Sequence, residues 1–178
     1  MNNTTLAMKD SGKAMHSYIL TLYEICLESE PDFVLEIGVG TKAQSTQTIL
    51  SAMDEIKKGK LFSIDSRGGD RGIDDALLEH WQLIAGDSHL EAVYKQVKDY
   101  KFDILFIDGD HSYEGVKQDF EMYSPLVKDR GLILMHDITN ANEGVPQFWK
   151  EIKYPKISFE FGILKRGILP GLGIAQKI

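Results

Sequence analysis

Hydrophobic residues along this chain follow two alternating patterns. Short runs of consecutive apolar residues predict buried strands, whereas apolar residues spaced three or four positions apart predict amphipathic helices. Glycine, proline and charged residues separate these segments. The predicted helices cover residues 12–28, 43–57, 74–80, 90–100, 113–127 and 144–152, and the predicted strands cover residues 33–37, 61–64, 82–85, 102–107 and 132–135.

Strands that alternate with helices predict parallel pairing through right-handed crossovers. Residues 102–107, with the sequence FDILFI, form the most hydrophobic strand and are expected at the centre of the sheet. The tail differs, because residues 157–161 and 171–177 resemble two strands joined by residues 165–170 with no helix between them. The expected fold is a doubly wound, Rossmann-like, mostly parallel seven-stranded α/β sheet with this antiparallel hairpin at its edge.

Composition and charge add limits to this picture. The chain has 178 residues, 43% of them hydrophobic and 26% charged, which predicts one globular domain over residues 1–178. A net charge of -7 predicts a surface that repels nucleic acid and anionic membranes. The single Cys26 cannot form an internal disulfide, and residues 1–11 lack the apolar core of a signal peptide. We therefore expect a cytoplasmic protein.

A glycine turn follows the first predicted strand. Gly38 and Gly40 lie where the strand meets the next helix, and their missing side chains allow a ligand to approach the backbone. The spacing fits a dinucleotide turn as well as an S-adenosylmethionine turn, and it also occurs without any ligand. Glu36 favours S-adenosylmethionine, because a carboxylate there would repel a pyrophosphate and attract a sulfonium and an ammonium group.

Acidic residues end the next two strands. Asp65 follows the second strand and is expected to accept both hydroxyls of a ribose, or else to cap the following loop. Asp87 and Ser88 follow the third strand and are expected at the adenine edge, although capping of the next helix explains them almost as well. Either adenosine cofactor would use these residues.

Four further polar residues follow the central strand and its neighbour. Asp108 and His111 come after residues 102–107, and His136 and Asp137 come after residues 132–135. Because adjacent parallel strands end at the same edge, the four side chains are expected around one spot. Oxygen ligands suit Mg²⁺, while a nitrogen from His136 shifts the preference toward Mn²⁺, Fe²⁺ or Zn²⁺. The alternative is a turn residue at Asp137 and a solvated histidine at His111.

The motifs VLEIGVGTKAQST, LFSID, LIAGDS and FDILFIDGDHSYEGVKQDFEMYSPLVKDRGLILMHD resemble successive motifs of class I S-adenosylmethionine-dependent methyltransferases. The segment DGDHSYEGVKQDF followed by HD is similar to the group of macrolide sugar O-methyltransferases and cephalosporin-hydroxylase-like proteins. The resemblance runs from about Asp32 to the C-terminus, which leaves residues 1–31 as an N-terminal helical segment. It implies Mg²⁺ at Asp108, His136 and Asp137, with Asp108 also bordering the cofactor and His111 as general base. The chain departs from that group at His136, where an acidic ligand is common.

The resemblance implies metal-assisted O-methylation of a small hydroxylated molecule, with the proton taken by His111. Two alternatives stay open, an NAD(P)-dependent oxidoreductase and a non-catalytic S-adenosylmethionine-binding protein. The short chain leaves no room for a lid domain, so we expect either an exposed substrate site or a homo-oligomer. Elsewhere, His16, His80 and His89 are expected at the surface, and Asp110 is expected to stabilise a helix N-terminus.

Overall fold

The computed structural model describes residues 17–68, 72–160 and 171–178. Seven strands form one sheet in the order β3-β2-β1-β4-β5-β7-β6. The strands are β1 (Phe33–Ile37), β2 (Lys60–Asp65), β3 (Trp81–Ala85), β4 (Phe102–Ile107), β5 (Val127–His136), β6 (Lys156–Glu160) and β7 (Gly171–Gln176). The helices are α1 (Ser17–Ser29), α2 (Gln44–Ile56), α3 (Glu91–Tyr94), α4 (Tyr113–Tyr123) and α5 (Val145–Glu151), with 3₁₀ helices at Asp75–His80 and Ser124–Leu126.

The predicted fold class is confirmed. Strands β1 to β5 pair in parallel, whereas β7 pairs antiparallel with both β5 and β6. The hydrophobic strand β4 is central, as expected, because it is buried on both faces. The predicted hairpin lies at the edge, while the start of the first helix at residue 12 and the connection 165–170 lie outside the described residues.

The register of the sheet places the functional positions together. Ile37 at the end of β1 pairs with Ile64 of β2 and with Ile107 of β4. Ile107 in turn pairs with Met135 of β5. The loops that follow these four strands therefore leave the sheet at one level, which brings residues distant in sequence to a common edge.

Two predicted helices were too long. Helix α4 ends at Tyr123, and Val127 begins β5 instead of extending the helix, because Pro125 lacks the backbone N–H that would continue the helical hydrogen bonds. Strand β5 therefore starts before Gly131, with a register shift opposite Phe102 and Ile104. The predicted helix over 90–100 is α-helical only in α3, after which the chain continues in turns whose hydrogen bonds often join residues three apart.

Two hydrophobic layers cover the sheet, one on each face. Side chains alternate along β1, so Leu35 and Ile37 enter one layer and Val34 enters the other. Helices α1 and α2 pack together over the second face, where Cys26 is a buried free thiol. No helix within residues 17–68, 72–160 and 171–178 is long and apolar enough to cross a bilayer.

Candidate functional site

A cavity of about 320 Å³ lies at the carboxyl ends of β1 to β4. It borders most of the residues that the sequence predicts to contact a cofactor. Those on its wall are Gly38, Gly40, Asp65, Asp87, Ser88 and Asp108. Its position matches the general rule that open α/β sheets bind ligands outside the carboxyl ends of their strands.

The two glycines of the turn, Gly38 and Gly40, have different surroundings. Gly38 has a φ of +90°, and a Cβ there would lie 2.1 Å from the carbonyl oxygen of Asp108. Only glycine allows the loops after β1 and β4 to approach so closely. Gly40 has a φ of +66°, and no atom of the described residues lies within 4 Å of the position that a Cβ would take, so this part of the turn faces open space at the cavity wall.

Asp65 holds the glycine turn while it borders the cavity. Its Oδ2 accepts hydrogen bonds from the backbone N–H groups of Val39 at 3.0 Å and Gly40 at 3.2 Å. Its Oδ1 accepts a hydrogen bond from the N–H of Arg67 at 2.8 Å. The carboxylate is therefore already oriented at the end of β2, which is the arrangement that preorganised ligand binding requires.

Glu36 is not placed for the predicted contact with a cofactor. It has no exposed surface and does not line the cavity. Its carboxylate accepts hydrogen bonds from the hydroxyls of Ser45 at 2.6 Å, Thr46 at 2.8 Å and Ser63 at 2.6 Å. Burial raises the pKa of Glu36 to about 7, although these hydroxyls oppose the shift. Its role here is to join β1, β2 and the start of α2 beneath the turn.

The predicted polar cluster forms at the ends of β4 and β5. Asp108 Oδ1 lies 3.2 Å from His111 Nε2 and 3.1 Å from His136 Nδ1. Asp137 Oδ2 lies 3.2 Å from His136 Nδ1 and 3.6 Å from His111 Nδ1. One potential ligand atom each from Asp108, His111 and Asp137 lies within 4.8 Å of the others. Two carboxylates and an imidazole at this separation fit a divalent ion.

His136 occupies a different position in that cluster from His111. Its Nδ1 faces both carboxylates, whereas its Nε2 is buried with no hydrogen-bond partner among the described residues. Its ring packs against Tyr18 of α1, with ring centroids 4.3 Å apart. The group of potential ligand atoms within 4.8 Å of one another contains His111, while the sequence had placed His136 there. Nδ1 of His136 nevertheless lies at least as close to both carboxylates as the ring of His111 does.

The carboxylates raise the proton affinity of both histidines. Hydrogen bonding to Asp108 is the main cause that raises the pKa of His111 to about 9. Burial lowers the pKa of His136, but the charges of Asp108 and Asp137 and the hydrogen bonds to them together outweigh it and raise that pKa to about 10. Burial raises the pKa of Asp108, and the charges and hydrogen bonds of His136 and His111 together more than offset this, so the net direction is down. His111 is therefore protonated at pH 7 in the metal-free protein, whereas a histidine with the ordinary pKa of 6.5 is mostly neutral at that pH.

Three further residues belong to this region. Glu143, from the loop before α5, has its Oε2 3.1 Å from His111 Nδ1. Tyr18 lines a second cavity of about 300 Å³, next to the first, and Asp108 borders both. His89 lines the first cavity and keeps 21% of its side chain exposed, so it is half-buried at the surface. No motif marks these residues, because each reaches the site through tertiary packing.

Asp110 has the expected role at a helix start. Its Oδ1 accepts a hydrogen bond from the N–H of Ser112, the residue that caps α4, at 2.8 Å. Ser112 in turn accepts a hydrogen bond from the N–H of Gly115 at 3.0 Å. Asp110 also lines the first cavity.

A glycine turn, an oriented carboxylate after β2 and an acidic cluster after β4 define a class I methyltransferase fold. A family described as "Methyltransferase domain" matches residues 35–138, more than half of the chain. The chain belongs to this family, which decides against the oxidoreductase alternative.

Known proteins agree with this assignment at the level of the fold. The O-methyltransferase from Bacillus cereus, solved in complex with SAH, is 15% identical, with a TM-score of 0.66 over 90% of this chain and 81% of that chain. The N-methyltransferase NodS from Bradyrhizobium japonicum is 13% identical, with a TM-score of 0.66 over 94% of this chain and 98% of that chain. The curated protein y4gI of Sinorhizobium fredii, called uncharacterized, is 38% identical over 68 residues, which are 36% of this chain. The chain spans only 7% of that relative's length.

Proposed function

We propose that this protein is an S-adenosylmethionine-dependent methyltransferase that methylates a hydroxyl oxygen of a small molecule with the help of a divalent ion. The observation that carries the proposal is the shared position of Asp108. It borders the cavity at the glycine turn and also belongs to the cluster with His111 and Asp137. A cofactor in that cavity and an acceptor at that cluster would thus be neighbours.

The walls of the cavity support an adenosyl cofactor. Asp65 borders it with an oriented carboxylate at the end of β2, where a ribose would place its hydroxyls. Asp87 and Ser88 border it after β3, on the side expected for the adenine. The related fold from Bacillus cereus was solved with SAH, and family membership supports the same class of ligand here.

In methyl transfer from a sulfonium, the main task of the protein is to align the methyl donor with the acceptor. The acceptor oxygen attacks the methyl carbon, the carbon–sulfur bond breaks, and its electron pair stays on the sulfur. The acceptor becomes a good nucleophile once its hydroxyl proton leaves. A divalent ion held by Asp108, Asp137 and His136 would orient the acceptor and lower the pKa of its hydroxyl. His111 would then remain available to accept a proton.

His111 is the proposed acceptor of that proton. It lies beside Asp108 on one side and Glu143 on the other. Because its pKa is about 9 without an ion, only a small fraction of His111 is neutral at pH 7. Cation binding at Asp108 would weaken the hold on the His111 proton, so we expect the base to be active only in the cation-loaded protein.

The test is a methyl-transfer assay with labelled S-adenosylmethionine against catechols, sugars and hydroxy acids, with Mg²⁺ or with a chelator. Asp137→Asn should lower turnover by roughly a hundredfold. Asp129→Asn, which removes an exposed carboxylate from β5, is the matched control and should leave turnover unchanged. Mass spectrometry of the product locates the methyl group. Transfer to nitrogen would contradict O-methylation, and transfer unaffected by the chelator would contradict assistance by a divalent ion.

A further inference from the structure

Strand β6 lies at one edge of the sheet and carries exposed apolar side chains. In the part of the chain that the structure describes, β6 pairs with β7 only. Ile157 is 56% exposed and Phe159 is 37% exposed. Both project to the same face of the sheet, because side chains alternate along a strand. An edge strand with exposed apolar residues is a template on which a further strand can pair.

The hydrogen bonds to β7 show which backbone groups of β6 point outward. The carbonyl oxygen of Pro155 accepts a hydrogen bond from the N–H of Gln176 at 2.9 Å. Opposite residues in an antiparallel ladder alternate between hydrogen-bonded and non-hydrogen-bonded pairs, so Ile157 and Phe159 bond to β7. The other residues of the strand direct their N–H and carbonyl groups toward the open edge, and these are Lys156, Ser158 and Glu160.

The lysine of β6 does not protect this edge. A lysine on an edge strand usually extends its charge past the strand and prevents pairing, but Lys156 points back to α5. Its Nζ donates hydrogen bonds to the carbonyl oxygens of Trp149 and Ile152, the latter at 2.6 Å, and lies 5.0 Å from the centroid of the Trp149 ring. The open edge is therefore accessible to another strand.

The two faces of β6 differ in what they still have to bury. Ile157 pairs with Ile174 of β7 and Phe159 pairs with Leu172, and both partners belong to or pack against the hydrophobic layer of the second face. On the other face, the hydroxyl of Ser158 accepts a hydrogen bond from an indole N–H of α5 at 3.0 Å. The exposed apolar surface of β6 thus extends the second layer past the edge of the sheet.

The sequence of β6, KISFE, is complementary to a second copy of itself. An antiparallel pair of copies with a two-fold axis at Ser158 places Lys156 of one copy opposite Glu160 of the other. In the same arrangement, Ile157 lies opposite Phe159. Opposite charges and apolar side chains then face each other, which stabilises a strand pair. A parallel pair in register would instead place each charge opposite its own kind, which destabilises the pair.

We propose that β6 pairs antiparallel with β6 of a second copy about a two-fold axis at Ser158, so that the two sheets become one. The interface is isologous, because each copy contributes the same strand. The outward N–H and carbonyl groups of Ser158 bond to the same groups of its counterpart. This pairing does not depend on the proposed function.

Sedimentation velocity of the full chain over a range of protein concentrations measures the pairing. The wild-type chain should form a dimer as the concentration rises. Ser158→Pro should raise the dissociation constant at least about tenfold, because it removes an outward N–H from each copy and leaves the bonds to β7 in place. Ser158→Ala is the matched control, since it loses the bond from α5 but keeps the outward N–H, so its dissociation constant should be unchanged. Circular dichroism shows whether each variant is folded.

Cysteine cross-linking tests the register and also serves if Ser158→Pro fails to fold. Ile157 and Phe159 of opposite copies form a non-hydrogen-bonded pair with Cα atoms about 4.5 Å apart, which a disulfide can span. A mixture of Ile157→Cys and Phe159→Cys chains should therefore form a covalent dimer on oxidation. Either variant alone should not, because its own counterpart lies on the diagonal, about 7–8 Å away. Cys26 is buried and does not compete.

Three results would overturn the pairing. A protein that stays monomeric at every concentration would leave β6 to a strand of another protein. A dimer that forms equally well in Ser158→Pro would use another surface. Cross-linking of either single variant as readily as the mixture would show another register. None of these results bears on the proposed function, which the methyl-transfer assay tests separately.

Discussion

Glu36, which is fully buried, and Asp108, which is partly buried, lie at adjacent strands and are stabilised by different means. Glu36 of β1 accepts hydrogen bonds from three hydroxyls, which carry no charge. Asp108, directly after β4, lies beside two imidazoles that carry protons at pH 7. The pKa of Glu36 is raised to about 7 by burial, whereas that of Asp108 is lowered. Three hydroxyl donors hold Glu36 in place, whereas the proposed cation would replace protons of the imidazoles beside Asp108.

The largest expected effect tests whether Asp108 takes part in catalysis while Glu36 only supports the fold. Asp108→Asn should lower methyl transfer by roughly a hundredfold or more, because it removes a proposed cation ligand at the reaction centre. Glu36→Gln should change turnover only slightly at pH 6, where the native side chain is mostly neutral. Steady-state kinetics with saturating Mg²⁺ measures both. Equal losses in the two variants would contradict the comparison.

The second effect concerns the stability of the fold as the pH rises. The pKa of Glu36 is about 7 in the folded protein and 4.5 as its ordinary value, so the folded state holds this proton more tightly than the unfolded state. The contribution of Glu36 is fully present below pH 4.5 and is lost as the pH rises through 7, by about 3 kcal/mol.

Urea unfolding of the wild-type protein and Glu36→Gln at pH 4.5 and pH 8 measures this effect. The free energy of unfolding of Glu36→Gln should lack this part of the decline with rising pH, since Gln does not titrate. The difference between the two pH profiles isolates Glu36 from the other titrating groups. Parallel profiles would show that the hydroxyls, and not a proton, neutralise the carboxylate.

The third effect is the exchange of protons for a cation at Asp108. Because His111 and His136 have pKa values of about 9 and 10, cation binding below pH 9 must compete with these protons. Affinity for Mn²⁺ should therefore rise about tenfold per pH unit for each proton displaced. Calorimetry in two buffers of different ionisation enthalpy counts the protons. Binding independent of pH would contradict the exchange.

The smallest effect tests the hydroxyls around Glu36 one at a time. Ser45→Ala should cost about 1 kcal/mol of unfolding free energy at pH 8, since it removes one hydrogen bond to a buried carboxylate. Ser51→Ala is the matched control on the same helix, because the buried Oγ of Ser51 has no hydrogen-bond partner among residues 17–68, 72–160 and 171–178. Equal costs would mean that lost packing, not the bond to Glu36, matters.

The sequence located those candidate site residues that lie at or directly after the ends of strands. Apolar runs located all five parallel strands, and the parallel arrangement then placed Asp65, Asp108 and Asp137 at one edge. Glu36 was misjudged because its neighbours Ser45 and Ser63 come from other elements. No local pattern could show that these hydroxyls would occupy the carboxylate.

The residues that sequence reasoning missed share this dependence on tertiary packing. Tyr18 belongs to an ordinary apolar stripe of α1, and only the packing of α1 brings it against His136. His89 was expected at the surface beside a short helix, and its place at the cavity could not be predicted because its contact Asp119 lies 30 positions later in the chain. Glu143 lies in a polar loop whose path across the sheet edge has no sequence signature.

Asp108 borders the first cavity and also belongs to the cluster with His111 and Asp137, so a cofactor and a cation bound there would be thermodynamically coupled. A cation that draws the Asp108 carboxylate toward His111 and Asp137 changes the surface offered to whatever fills the first cavity. By linkage, the factor by which the cation alters cofactor affinity must equal the factor by which the cofactor alters cation affinity. Unequal factors in the two titrations would mean that a further conformation or ligand takes part. Through this single side chain, the proposed cofactor and the proposed cation would each influence the binding of the other.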